Sequence, residues 1–156
     1  MSGLFPIYTV QWAVTVSPPA SVAPYDLIEA VRAELARQGN RARTAGPGRI
    51  EFEGPGLLGA MGTFSVRRRA ATMIRGGSVT FDPSHPARMQ LELRYSWTVW
   101  GWPVLMACIV VLQEMDAGMR LGALVLLGGF VLFQVNAARE AYESWIADGA
   151  RRAGVR

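Results

Sequence analysis

Two stretches of this chain carry no charge at all. Residues 97–112 read WTVWGWPVLMACIVVL, and residues 121–135 read LGALVLLGGFVLFQV. A helix that is apolar on every side has no face for water and must be buried in protein or in lipid. The whole chain has 156 residues, too few to wrap two such helices in a core of its own. Composition agrees: 51% of residues are hydrophobic and only 18% are charged, where a soluble domain carries about 25% charged residues. With their flanks the stretches extend to residues 95–113 and 121–138, close to the ~20 apolar residues a spanning helix uses. The pattern predicts a two-helix transmembrane hairpin over residues 97–138.

The seven residues 114–120 between the stretches hold Glu114, Asp116 and Arg120, with Gly118 as an expected helix stop. Ahead of the first stretch, residues 1–96 carry eleven Arg against seven acids; behind the second, residues 136–156 carry four against three. The positive-inside rule then puts both ends of the sequence in the cytoplasm and the short loop outside. Trp97, Trp100 and Trp102 cluster at the start of the first stretch and Trp145 follows the second. All four are expected as interface anchors, because indole rings favour the headgroup layer. Pro103 suits the first turn of a helix that begins near Gly101 or Trp102. All sixteen basic residues are Arg and none is Lys, a GC-rich codon signature that points to a bacterial inner membrane.

The rest of the chain reads as an α+β domain, residues 1–96. Residues 4–16 resemble a signal peptide in apolarity, but no basic residue precedes them. Tyr8, Val10, Trp12, Val14 and Val16 alternate, which predicts a strand. Pro24 opens and Gly39 closes an amphipathic helix whose Leu27, Ile28, Val31 and Leu35 share a face. Residues 39–49 read as a Gly-rich loop, and residues 49–53, 63–69 and 78–82 as strands, with Gly76-Gly77 as a hairpin signal. Residues 88–99 alternate six times in a row. The expected fold is a small antiparallel sheet with one covering helix, followed by the hairpin and then a C-terminal amphipathic helix, residues 139–156, set in the interface or packed on the sheet.

Candidate chemistry is sparse. His85 sits in a polar Asp82-Pro83-Ser84-His85-Pro86 turn, and Cys108 lies among apolar neighbours, where packing is its expected role. Glu51, Glu53 and Glu92 are expected on one solvated sheet face. One Cys and one His exclude a multi-Cys or multi-His metal site. No cofactor and no enzymatic activity are expected, and nucleic acid is an unlikely partner, since no aromatic residues interleave the basic ones. The densest charge is Arg67, Arg68 and Arg69 with Arg75, read either as a solvated edge or as a contact to anionic lipid. Gly122, Gly128 and Gly129 make a small-residue face for helix packing, within the hairpin or against a homo-oligomer or a membrane partner. The function expected from these features is a non-enzymatic interaction or accessory module at the membrane surface. The alternative is a membrane-tethered domain that binds a small ligand or lipid in a pocket lined by Tyr8, Trp12, Phe64 and Phe81.

Overall fold

The computed structural model describes residues 8–16, 22–54, 71, 73–82, 84–85, 88–95, 98–113 and 116–153, with the backbone alone for Tyr8, Thr98, Val99, Trp100 and Trp102. Five strands form one antiparallel sheet: β1 (Tyr8–Thr15), β2 (Arg41–Gly46), β3 (Arg49–Glu53), β4 (Ile74–Phe81) and β5 (Arg88–Tyr95). Their spatial order is β1-β5-β4-β3-β2. Among the described residues the helices are α1 (Pro24–Arg37), α2 (Thr98–Leu112) and α3 (Ala117–Ala153). The α+β class is as the sequence predicts, with five antiparallel strands and a long apolar C-terminal helix. Residues 63–69, expected as a strand, lie outside the described residues.

Period-2 alternation decides which face of the sheet is apolar. On β5, Met89, Leu91, Leu93 and Tyr95 are buried while Arg88 and Gln90 are exposed. Their cross-strand partners continue the layer through Phe81 and Val79 on β4, then Ile50 on β3, and through Trp12 and Val14 on β1. Strand β2 was expected as part of a loop. Its sequence, RARTAG, shows no apolar alternation because it lies at the sheet edge and pairs only with β3. Exposed Arg residues on such an edge also oppose further strand pairing.

Gly76 and Gly77 do not turn the chain; both lie inside β4. A Cβ on Gly77 would stand 2.1 Å from the Glu92 carbonyl oxygen and 2.7 Å from the Phe52 ring. The glycine is there because a strand and an aromatic ring approach too closely for any side chain. Helix α1 begins at Pro24 and ends as the sequence predicts, with Gly39 at φ +89° just past its end.

Two helices cover the sheet, not one. Helix α1 contributes Leu27, Val31 and Leu35, and the C-terminal half of α3 contributes Ala138, Ala141, Tyr142, Trp145 and Ile146 to the same core. The tail is therefore part of the domain rather than a segment in the membrane interface. Tyr142 is fully buried and stacks on Phe52, ring centres 5.0 Å apart. Its hydroxyl donates to Asn40 Oδ1 at 2.7 Å, and Asn40 Nδ2 donates to the Leu35 carbonyl at 3.0 Å. Burial pushes the Tyr142 phenol above its usual range, so it stays a neutral donor. At the crossing of α1 and α3, a Cβ on Gly149 would stand 2.8 Å from Val31 Cα. Glu34 of α1 accepts from Arg37 and Gln38 of its own helix and from Arg152 of α3.

Among the described residues β5 ends at Tyr95, and Val99, the last position of the alternation, lies in α2 and not in a strand. Pro103 lies inside α2, past its first turn. Gly118 stops nothing; it sits in the first turn of α3.

Candidate membrane interface

Helix α3 changes surroundings partway along. Over residues 117–136 most of its large apolar side chains are bare: Leu126 is 76% exposed, and Leu121, Val125, Leu132 and Phe133 are each more than half exposed, while Val131 is buried. From Ala137 to its end, the face that meets α1 and the sheet is buried. The helix has 37 residues; the bare part is about 30 Å long, the thickness of a bilayer's hydrocarbon core. Among the described residues, α3 is the one helix long and apolar enough to cross a membrane. Helix α2 packs beside it and is also bare, with Val104, Leu105, Ile109, Val111 and Leu112 exposed. Cys108, expected in packing, is exposed there too.

The turn between the helices is capped from both sides. Asp116 Oδ1 accepts from the backbone N–H groups of Gly118 at 2.8 Å and Met119 at 3.2 Å, which satisfies the first turn of α3. Arg120 reaches back and donates to the Gln113 carbonyl at 3.0 Å, just past the end of α2. Asp116 and Arg120 thus serve the helix ends.

At the other end of the apolar pair lies a collar of aromatic and charged groups. Tyr95 Oη donates to the Val135 carbonyl at 3.4 Å, and Trp12 meets the Tyr95 ring edge-on at 6.2 Å. The Arg139 guanidinium lies 5.7 Å from the centre of the Trp12 ring, a cation–π distance, and pairs with Glu143 at 2.6 Å. Burial pushes the Tyr95 phenol above its usual range, and the Arg139 charge only partly opposes this. The collar marks where α3 passes from the bare to the buried environment. Sequence reasoning placed Tyr95 near this boundary, as the first residue of the extended stretch 95–113, but not Trp12. Strand and helix lie 127 positions apart between Trp12 and Arg139, and no local pattern records such a contact.

No protein-family model, curated protein or solved structure matches this chain.

The residues singled out from sequence fall in different places. Arg67, Arg68, Arg69, Phe64 and Trp97 lie outside the described residues. Trp100 and Trp102 occupy the first two turns of α2. Trp145 is not an interface anchor: it is 8% exposed in the core, edge-on to Tyr142 at 4.9 Å. A Cβ built on Gly122, Gly128 or Gly129 meets nothing within 4 Å, so none of the three seats α2 closely. Of the expected pocket lining, Phe81 is buried in the core, Trp12 belongs to the collar, and Tyr8 lies opposite Tyr95 in the register.

His85 is exposed, and its turn is an Asx arrangement in which Asp82 Oδ1 accepts from the Ser84 N–H at 2.8 Å. That hydrogen bond holds the Asp82 carboxyl below its usual range. Among the described residues, no three or more His, Cys, Asp or Glu side chains gather where a metal ion would fit.

Proposed function

We propose that this chain is a non-enzymatic bacterial inner-membrane protein, anchored by a two-helix hairpin, whose cytoplasmic domain works as an interaction or accessory module at the membrane surface. The observation that carries the reading is α3 itself: one continuous helix, mostly bare and apolar over residues 117–136, with one face buried in a protein core from Ala137 on. Removing that apolar surface from water is favourable by roughly 25 cal/mol for every Å² covered, so lipid is its natural surrounding.

Chain connectivity supports the hairpin. Residues 8–95 and 137–153 share one core, so both flanks of the apolar region lie on the same side of any membrane. If α3 crosses, α2 must cross back, because an odd number of passes would separate Tyr142 from its partner Asn40. Helix α2 spans roughly 22 Å over its fifteen residues, short of a full hydrocarbon core. Bilayer thinning around the pair accommodates that mismatch at a modest cost. The Arg excess before the first apolar stretch puts the domain in the cytoplasm. Helices α1 and α3 fill the apolar face of the sheet, which favours an interaction module over a ligand pocket between sheet and helix.

Reporter fusions at the two ends of the chain test the topology. Cytoplasmic reporters should be active at both ends, and the protein should stay in the membrane pellet after an alkaline carbonate wash. A periplasm-only signal at either end, or release by carbonate, rejects the reading.

A further inference from the structure

The face of the sheet turned away from α1 and α3 carries charge in cross-strand rows. Opposed residues in the register place Arg41, Glu53, Gly76, Arg94 and Thr9 in one row, and Arg43, Glu51, Ser78, Glu92 and Gln11 in the next. In the second row the charges satisfy one another: Arg43 pairs with Glu51 at 3.0 Å, and Gln11 donates to Glu92 at 3.4 Å. The first row differs. Gly76 puts no side chain between Glu53 and Arg94, since a Cβ there would stand 2.6 Å from the Phe52 carbonyl oxygen, and Arg75 is the extra residue of a bulge between Ile74 and Gly76. Two adjoining depressions open there, of about 350 and 510 Å³. The charged residues lining them are Arg41, Arg75 and Arg94, the paired Arg43 and Glu51, and Glu53. Only Arg94 of the three has a carboxylate partner among the described residues, Glu92 at 3.2 Å. Arg41 and Arg75 are exposed and have none.

This row lies at a particular end of the sheet. Arg94 directly precedes Tyr95, the residue where β5 ends; α2 starts three residues on, at Thr98, and α3 returns to Tyr95 at Val135. The cationic rim therefore stands beside the root of the apolar helix pair. At physiological salt, charges act over a Debye length of about 8 Å, so only residues at this end of the sheet sense a nearby headgroup layer.

We propose that the rim formed by Arg41, Arg75 and Arg94 along these two depressions binds the phosphate of an anionic phospholipid headgroup. Paired donors of a guanidinium match a phosphate's oxygens, and the two depressions leave room for the headgroup on this face of the sheet. The site orients the domain on the cytoplasmic leaflet instead of anchoring it, since the hairpin already does that. The proposal rests on the membrane reading above.

The test uses the purified full chain in an uncharged detergent, titrated with short-chain phosphatidylglycerol, short-chain phosphatidylcholine or inorganic phosphate, with the melting temperature as readout. Phosphatidylglycerol should raise it by about 5 °C at saturation, and phosphatidylcholine by much less. The double variant Arg41→Ser/Arg75→Ser should lose most of that gain, and Arg41→Lys/Arg75→Lys should recover part of it. Arg88→Ser, the same charge change about 20 Å away at the far end of β5, should keep it. Equal gains from both lipids, an equal loss in Arg88→Ser, or a full gain in the double Ser variant would each overturn the site. Phosphate alone giving the same Arg41- and Arg75-dependent gain would make it a free-phosphate site and overturn the lipid assignment. Carbonate extraction of the wild type reports separately on the hairpin, so a chain released from membranes defeats the membrane reading whatever the titration shows.

Discussion

Glu34 is a carboxylate with 2% of its side chain exposed, on a helix face that packs against another helix. Burial by itself would raise its pKa. The hydrogen bonds from Gln38 and Arg37 and the charges of Arg152 and Arg37 outweigh burial, and the carboxyl is held below its ordinary 4.5. The sign of the pH effect follows. A carboxyl with a lowered folded pKa contributes stability that is complete above its unfolded value and fades as pH falls through the folded one. Both Arg partners are at least half exposed, so water screens the pairs and the net contribution is modest, about 1 kcal/mol. Glu34→Gln should therefore lower the melting temperature at pH 7 by a few degrees. The gap between variant and wild type should close as pH falls below about 4.5. Melting curves at pH 7, 5 and 3 check this, and a gap that widens with acid would contradict it.

The crossing of α1 and α3 is the joint on which the element-scale structure depends. Gly149 lets the backbones approach until its α-carbon hydrogen faces Val31 Cα and the Ala30 carbonyl. The obstacle to a larger residue is backbone on both sides, which cannot rotate out of the way. Gly149→Leu should force the helices apart and cost about 3 kcal/mol, the upper part of the range for overpacked sites. The same change at Gly129, where nothing lies within 4 Å, should leave the stability of the single chain unchanged. Chemical denaturation in detergent measures both. Comparable losses at the two positions would mean that Gly129 also meets a close neighbour.

At the scale of the whole molecule, the apolar pair is an insertion into a domain whose halves complete each other. Tyr95 and Val135 are joined by a hydrogen bond of 3.4 Å, so the chain leaves and re-enters the domain at nearly the same point. Removing residues 98–134 and joining the ends with a short Gly/Ser linker should give a folded, water-soluble domain with the same core, because loop closure over so short a gap costs little. It should elute as a discrete species without detergent and melt cooperatively. Removing residues 137–153 instead should abolish cooperative melting, since Tyr142, Ile146 and their neighbours leave the core. Aggregation of the linker form without detergent would show that the helix pair is needed to fold the domain.

Local chemistry alone was enough to recognise several elements. Charge-free stretches revealed the apolar helices, six alternations identified β5, and Pro24 and Gly39 bounded α1, because solubility, pleat and cap each depend on residues a few positions apart. Strand β2 was illegible because an edge strand needs no apolar period, and Gly76-Gly77 misled because a close approach and a turn favour the same residue. The destination of Trp145 was illegible for a different reason. A Trp beyond an apolar helix suits a headgroup layer and a protein core equally well. The core won here because α3 runs on without a break into the sheet, where Tyr142 reaches a residue 102 positions earlier. The row of Arg41, Gly76 and Arg94 has the same origin: three strands bring together residues that no window along the chain contains. The sequence by itself determined which segments avoid water; only the tertiary structure decided which apolar surface covers which, since that depends on contacts between distant parts of the chain.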